Sequence, residues 1–289
     1  MFSVLDMFTI GVGPSSSHTV GPMCAAQAFA SSLEESGAVS RVGRIRVVLY
    51  ESLSLTGLGH GTDRAILAGL EGNVPATVDT DYLLSVRERC AHDGTIHVNG
   101  TNAIAYDDDG DMVFDRWKRL APHPNGMRFQ AFDAQGNIID EQVWYSIGGG
   151  FIRRGRIDDT LISNHEQTPA SSQSPEDSGN DEAAEYGDGV PYPFVSCDGL
   201  IDLCRKHHLS IADVVWANET ARRSPQEVRD RLTRIWNVMS HCIDAGCASA
   251  TPTLPGGLDV PRRAPLMYRR LAANSDVLRR DRRISSALE

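Results

Sequence analysis

The chain has 289 residues and a mass of 31.5 kDa, enough for about two domains of ordinary size. Its net charge of −10 disfavours general nucleic-acid binding, because neutralising phosphates needs a basic surface. No apolar run approaches the ~18 residues that a membrane span requires, and the N-terminus lacks the basic segment of a signal peptide. Six scattered cysteines without a C-x-x-C pair predict free thiols in a reducing cytoplasm.

Lysine is rare in this chain. Of the 28 basic residues, only Lys118 and Lys206 are lysines. A pyridoxal-phosphate enzyme holds its cofactor through a lysine Schiff base. Both lysines lie in short clusters of basic residues, a setting typical of solvent-exposed side chains. We therefore expect no pyridoxal phosphate in this protein.

The first half of the chain mixes helix and strand patterns. Apolar periodicity predicts helices over about 20–36, 61–71 and 80–92. The run Ile45–Tyr50 is rich in branched residues and predicts a buried strand.

Two hairpins follow these elements. The segment Ile96–Tyr106 carries Asn99-Gly100, which predicts a type I′ turn because both residues tolerate positive φ. A second hairpin is predicted from 128–133 and 138–147. The fold class expected for residues 1–160 is therefore α+β, an antiparallel sheet with helices on one side.

The composition changes after this domain. Residues 157–188 carry nine carboxylates and no lysine or arginine, with many small and polar residues. Such a segment buries too little apolar surface to offset the entropy of ordering it. We expect an acidic Ser/Pro/Gly-rich linker over 161–192.

The remainder, 193–289, is predicted to be all-α. Ser196 and Ser210 are suitable N-caps, and Ser224-Pro-Gln-Glu227 has the pattern of a capping box with proline at N1. Gly246 is expected to end the helix that begins there. The apolar residues of this helix trace one face: Val228, Leu232, Ile235, Trp236, Met239, Cys242 and Ile243. The chain then ends in a charged segment without apolar closure, which predicts an incomplete helical domain.

The first segment that could carry chemistry is Gly11–Met23. It places three serines, His18 and Thr19 immediately before a helix. Hydroxyls and free N–H groups at a helix N-terminus favour a carboxylate or phosphate. The segment matches neither G-K-[ST] nor G-x-G-x-x-G. The alternative interpretation is a serine-rich N-cap beside an ordinary histidine.

The second segment is Gly57–Arg64. His60 lies between two glycines, so the backbone can turn sharply and a neighbouring group can approach closely. Histidine is the side chain most easily adapted to proton transfer near neutral pH. Asp63 follows at the start of the next helix. The alternative interpretation is an aspartate N-cap with a loop histidine.

Together these segments resemble one family, the iron–sulfur L-serine dehydratases (L-serine ammonia-lyases). The N-terminal motifs that carry the resemblance are Gly13–Met23, Gly59–Asp63, His123–Met127 and Ser146–Phe151. The helical half continues it at Ala217–Glu219, in the helix with Trp236 and Met239, and at Leu254–Leu258 and Val260–Ala264. The resemblance covers the chain outside the acidic linker and about the last dozen residues.

The resemblance implies the deaminating dehydration of L-serine to pyruvate and ammonia. In this family a [4Fe-4S] cluster acts as Lewis acid on the substrate oxygens, while a base removes the α-proton. By the family pattern His60 is the candidate base. The candidate substrate-binding residues are Ser15, Ser16, Ser17, His18, Thr19, Thr62 and Asp63.

The chain departs from the family pattern at the cluster. In the family, the cysteines that bind the cluster lie beyond the segment that corresponds to Leu254–Leu258. None of the six cysteines of this chain matches such a ligand. We therefore expect a truncated dehydratase, inactive alone or dependent on a partner. The expected partner is a complementing C-terminal polypeptide or a second copy of the chain. Two other hypotheses stay open, a non-catalytic module that binds an amino or hydroxy acid and regulates a partner, and a non-functional remnant.

Overall fold

The computed structural model describes residues 3–163, 189–254 and 259–273. Most of the segment predicted as an acidic linker, 161–192, lies outside the described residues. None of the described helices combines the length and the apolar character needed to cross a lipid bilayer.

Contacts divide the chain into two compact units. Residues 7–163 belong to the first. Residues 3–6 belong to the second, together with the described residues from 189 onward. Residues 1–6 fall within the predicted first domain, 1–160. The contacts of residues 3–6 are instead with the helical unit, where Ser3 Oγ donates to the Glu219 carboxylate at 2.8 Å.

The first unit is built from a main sheet, a two-stranded sheet and five helices. The strands are β1 (Arg44–Tyr50), β2 (Thr95–Val98), β3 (Asn102–Ala105), β4 (Met112–Asp115), β5 (Lys118–Leu120), β6 (Gly126–Phe132), β7 (Ile138–Gly148), β8 (Phe151–Arg154) and β9 (Leu161–Ser163). The helices are α1 (Gly21–Glu35), α2 (Glu51–Thr56), α3 (Thr62–Leu70), α4 (Thr80–Asp93) and α5 (Asp108–Asp111). The three helices and the first strand expected from the sequence are confirmed.

The main sheet is mixed. Its order is β2-β3-β1-β6-β7-β8, and β4 also pairs with β1. The pairs β2–β3, β1–β6, β6–β7 and β7–β8 are antiparallel, but β1 runs parallel to β3 and β4. The α+β class is confirmed, with one difference from the expected antiparallel sheet. Local hairpins reveal only antiparallel pairs, whereas the parallel pairs join segments far apart in the chain.

The core of this unit lies between the main sheet and the helices. Residues along β1 alternate between two faces, because successive side chains of a strand point to opposite sides. Val47 and Leu49 join the large core beneath α1 and α3, where the rings of Phe29 and Phe129 stack at 5.2 Å. Val48 belongs to the smaller cluster on the other face. The helices therefore pack against one face of β1 and hold its carboxyl end in place.

The predicted turn at Asn99-Gly100 has the expected backbone. Asn99 has φ 50° and Gly100 φ 74°. The register pairs Val98 with Asn102, so Thr101 also lies in the turn. The second hairpin is confirmed as the pair β6–β7.

The second unit is helical among its described residues, as expected. Its helices are α6 (Cys197–His207), α7 (Ile211–Thr220), α8 (Pro225–Ala248) and α9 (Ala264–Ala272). The side chains of Ser196, Ser210 and Ser224 each accept an N–H bond as N-caps, as predicted. The helix α8 continues two residues past Gly246, which lies within its last turn.

The apolar face of α8 is largely exposed. Val228 is buried, whereas the exposed fractions of Trp236 and Ile243 are 61% and 58%. The sequence pattern is confirmed as one helix face. The described residues of the second unit leave this face largely uncovered.

Candidate functional site

The serine-rich segment forms the entrance to α1. Ser16–Val20 make a π-helical turn that continues directly into that helix. Ser15 Oγ accepts the backbone N–H of His18 at 3.1 Å, so the N-cap interpretation is correct for this serine. Ser16 is exposed at the start of the turn.

The His18 ring lies between two hydroxyl groups. Its Nδ1 is 2.9 Å from Ser17 Oγ, and its Nε2 is 3.0 Å from Ser52 Oγ. Partial burial lowers the pKa of His18, and the nearby His60 lowers it further. The lowered pKa favours the neutral ring, in which one nitrogen donates and the other accepts.

The His60 ring lies beside His18, with 4.8 Å between the ring centroids. Gly61 makes the sharp turn that the sequence predicts, with φ 66°. His60 Nδ1 is 2.9 Å from the carbonyl oxygen of Thr56. Because a carbonyl oxygen only accepts, Nδ1 carries the proton and a neutral ring keeps a lone pair on Nε2. This arrangement suits a general base.

Two buried threonines join the segments that carry these histidines. Thr19 Oγ1 donates to the His60 carbonyl at 2.9 Å, and Thr62 Oγ1 donates to the His18 carbonyl. Thr19 is 1% exposed and Thr62 is fully buried. Each threonine thus bonds the backbone of the other segment, which fixes the distance between the two imidazoles.

Asp63 makes a different set of contacts. Its carboxylate forms an ion pair with Arg87, which also binds Asp108 through two guanidinium nitrogens. Tyr106 donates to Asp108 at 2.7 Å. The N-cap interpretation of Asp63 is wrong, because Gly61 caps α3 and Asp63 lies in its first turn. The ion pairs tie the start of α3 to α4 and α5.

The motif segments His123–Met127 and Ser146–Phe151 also lie at this site. The Ser52 N–H donates to the Pro124 carbonyl at 3.2 Å, and Asn125 Nδ2 donates to the Ser146 carbonyl at 3.1 Å. Ser146 is fully buried against α1, where a Cβ on Gly21 would come within 2.0 Å of its hydroxyl. The four segments are therefore brought together around the start of α1.

Sequence reasoning missed one residue that touches this group, Ser52. It lies two residues after Tyr50, the last residue of a predicted strand, and nothing in its spacing distinguishes it from Ser54. Only the arrangement of β1 and α1 in the fold could have pointed to Ser52. The carboxyl end of β1 meets the N-terminus of α1, which places Ser52 against His18.

The cysteines do not converge. In residues 3–163, 189–254 and 259–273, which include all six, no group of three or more His, Cys, Asp or Glu side chains could hold a metal ion. Burial raises the pKa of the Cys24 thiol and, with nearby Glu71, raises that of Cys90 to about 11. Neither environment favours the thiolate, the form in which cysteine binds a cluster. The described residues therefore do not fit the implied cluster.

Comparison with known proteins identifies the family. The family model "Serine dehydratase beta chain" matches residues 3–156. The chain belongs to the serine dehydratase family. It is 40% identical over 274 residues to an L-serine dehydratase of Streptomyces coelicolor, covering 95% of this chain and 56% of that protein. It is 39% identical over 285 residues to L-serine dehydratase 1 of Escherichia coli, covering 97% of this chain and 56% of that protein.

A third relative agrees with these two. An L-serine dehydratase of Haemophilus influenzae is 35% identical over 278 residues, which cover 96% of this chain and 56% of the relative. The chain thus spans little more than half the length of the curated relatives that it matches. The resemblance expected from the motifs is confirmed at the level of the family.

Proposed function

We propose that this chain supplies the serine-binding and proton-abstracting part of an L-serine dehydratase. The observation that carries the proposal is the His60 ring. Its Nδ1 is held by the Thr56 carbonyl, so that Nε2 is an acceptor. The motif segments that the family model covers meet around the start of α1, and His18 lies beside the His60 ring.

The chemistry starts at the α-carbon of L-serine. His60 Nε2 takes the α-proton, and the electron pair of the C–H bond forms the Cα=Cβ double bond. The β-hydroxyl leaves as hydroxide and takes up a proton, so one water is released. The aminoacrylate tautomerises to an imine, which consumes one water to give pyruvate and ammonia. The role of this chain is to hold the α-carbon beside His60.

The serine-rich turn is proposed to hold the substrate carboxylate. Ser16 and Ser17 present hydroxyls at the start of a helix, where the dipole and free N–H groups favour an anion. Ser15, Thr19 and Thr62 would shape the pocket through their bonds to the backbone. His18 would complete it from the side of His60.

Asp63 is proposed to act without touching the substrate. Its side chain is 4% exposed, and its carboxylate pairs with Arg87. It therefore supports the site by fixing the start of α3, which directly follows the His60 turn. The ion pair with Arg87 favours this supporting role over direct contact with serine.

The cluster and its ligands are proposed to come from outside these 289 residues. The proposal is supported by the 56% coverage of the relatives and by the exposed apolar face of α8. A complementing polypeptide that supplies the rest of the helical domain would cover that face. The exposed members of the face are Leu232, Trp236, Met239 and Ile243.

The test is an anaerobic pyruvate assay with L-serine. The full chain is assayed alone and mixed with the part of the Streptomyces coelicolor relative that the chain does not match, after iron–sulfur reconstitution. We expect pyruvate from the mixture, and a loss of at least about 100-fold in kcat for His60→Gln, as is usual for a lost general base. His92→Gln is the matched control, because that side chain is 88% exposed on α4.

Two results would contradict the proposal. One is equal turnover by His60→Gln and the unchanged chain. The other is calorimetric binding of L-serine by the full chain with no pyruvate from any mixture, which would favour the non-catalytic regulatory module instead.

A further inference from the structure

Ser52 occupies an unusual place between a strand and a helix. It follows Glu51, whose φ of 41° turns the chain sharply from β1 into α2. The Ser52 N–H is bonded to the Pro124 carbonyl, and Ser52 Oγ lies 3.0 Å from His18 Nε2. The serine is therefore held from its backbone while its hydroxyl faces the imidazole.

The hydroxyl is one end of a chain of hydrogen bonds. From Ser52 Oγ the chain runs through the two ring nitrogens of His18 to Ser17 Oγ, and from there to Ser15 Oγ at 3.4 Å. A neutral imidazole donates from one nitrogen and accepts at the other. The two hydrogen bonds of the ring therefore run in one of two directions.

The direction decides what the serine-rich turn offers to a ligand. If Ser52 donates to Nε2, then Nδ1 donates to Ser17 Oγ, and the Ser17 proton is not used on the ring. It can then point to Ser15 Oγ or to an acceptor on a ligand. If Nε2 instead donates to Ser52, the Ser17 proton is used on Nδ1 and only a lone pair remains. A carboxylate only accepts hydrogen bonds, so it needs the first direction.

We propose that Ser52 is a positioning residue that donates to His18 Nε2, fixes the Nδ1–H tautomer and thereby makes Ser17 a donor to the substrate carboxylate. This inference rests on the proposed function for the identity of the anion. It assigns to Ser52 a role in specificity for a carboxylate, although the residue itself is one imidazole away from the ligand.

The surroundings of His18 agree with a neutral ring. Burial and the neighbouring His60 both oppose the imidazolium, in which both nitrogens would donate, and they outweigh a hydrogen bond with the Ser52 backbone that favours it, so the pKa of His18 is lowered. The same site contains a suitable control. Ser54 lies two residues further along α2, but its hydroxyl donates to the Asp115 carbonyl and not to a ring.

The experiment is a ¹⁵N NMR measurement of the histidine ring nitrogens in the full chain at neutral pH. His18 is assigned by comparison with His18→Asn. We expect His18 Nε2 to have the shift of an unprotonated, hydrogen-bonded nitrogen and Nδ1 that of a protonated one. Ser52→Ala should move His18 toward a mixture of both tautomers, while Ser52→Thr and Ser54→Ala keep the original pattern.

A second readout uses L-serine itself. Calorimetric titration should show about tenfold weaker binding to Ser52→Ala than to Ser54→Ala, with recovery in Ser52→Thr. A protonated Nε2 in the unchanged protein, or an unaltered His18 in Ser52→Ala, would overturn the inference. The tautomer is measured without substrate or turnover, so loss of the proposed function leaves this result intact and the two failures are distinguishable.

Discussion

Glu51 has a backbone conformation that suits glycine better than glutamate. Its φ of 41° lies in the left-handed region, where a Cβ costs about 1–2 kcal/mol. Part of this cost is offset because glycine loses more entropy on folding. We expect Glu51→Gly to raise the free energy of unfolding by about 0.5–1 kcal/mol, measured by urea denaturation.

The control for this substitution is Glu35→Gly at the end of α1. There the backbone is helical, so glycine should lower the free energy of unfolding by about 0.5–1 kcal/mol. Equal destabilisation by both variants would show that residue 51 does not have a positive φ.

His18 predicts how stability depends on pH. Burial, with His60, holds the pKa of His18 below its ordinary value, so the unfolded chain binds the proton more readily. The free energy of unfolding should therefore fall as pH drops below about 6.5 toward the folded pKa. Urea denaturation at about pH 7.5 and about pH 5.5 tests this.

The comparison is with His18→Asn, which should lose less stability over this interval. His92→Asn should behave like the unchanged protein, because His92 is largely exposed. If His18→Asn loses as much stability on acidification as the unchanged protein, another group is responsible.

At the scale of elements, Arg87 connects three helices. It pairs with buried Asp63 on α3 and with Asp108 on α5. Arg87→Ala would leave the Asp63 carboxylate buried without its cation, and breaking a buried pair costs ~3–5 kcal/mol. Because the Arg87 side chain is 27% exposed, we expect about 2–3 kcal/mol in thermal or urea unfolding.

The matched control is Arg64→Ala. Its partner Glu88 has a side chain that is 65% exposed, and such surface pairs contribute at most about 1 kcal/mol. A loss for Arg87→Ala no greater than that for Arg64→Ala would mean that Asp63 is solvated or has another partner.

Elements differ in how far the sequence predicts them. The Asn99-Gly100 turn and the caps at Ser196, Ser210 and Ser224 were predictable, because their causes lie within a few residues. The parallel pairing of β1 with β4 was not, since it joins residues about 65 positions apart and leaves no local pattern.

The residues of the candidate site also fall into predictable and unpredictable ones. The motifs identified His18 and His60, and the structure brings their rings to 4.8 Å. Ser52 escaped prediction because its contact with His18 depends on which strand end faces α1. The ion pair between Asp63 and Arg87 was not predictable, because no feature of the sequence distinguishes Arg87 from the other charged residues of its helix.

At the scale of the whole molecule, the two units differ in the size of their cores. In the first unit the main core joins residues of four helices to the strands of the main sheet. Among the described residues of the second unit, the buried apolar side chains are Leu5, Val214 and Val228. Since burial of apolar surface is the main favourable term in folding, the helical unit should open far more often than the sheet.

Hydrogen exchange measured by mass spectrometry tests this difference. We expect amides of α8 to exchange at least about 100-fold faster than those of β6 and β7, because opening free energies vary from near zero up to the global value. Adding the unmatched part of the Streptomyces coelicolor relative should slow exchange in α8 and leave the sheet unchanged, since only the exposed apolar face gains a partner. Equal protection of α8 and the sheet in the isolated chain would show that this face is already covered, and the case for a complementing polypeptide would lose its structural support.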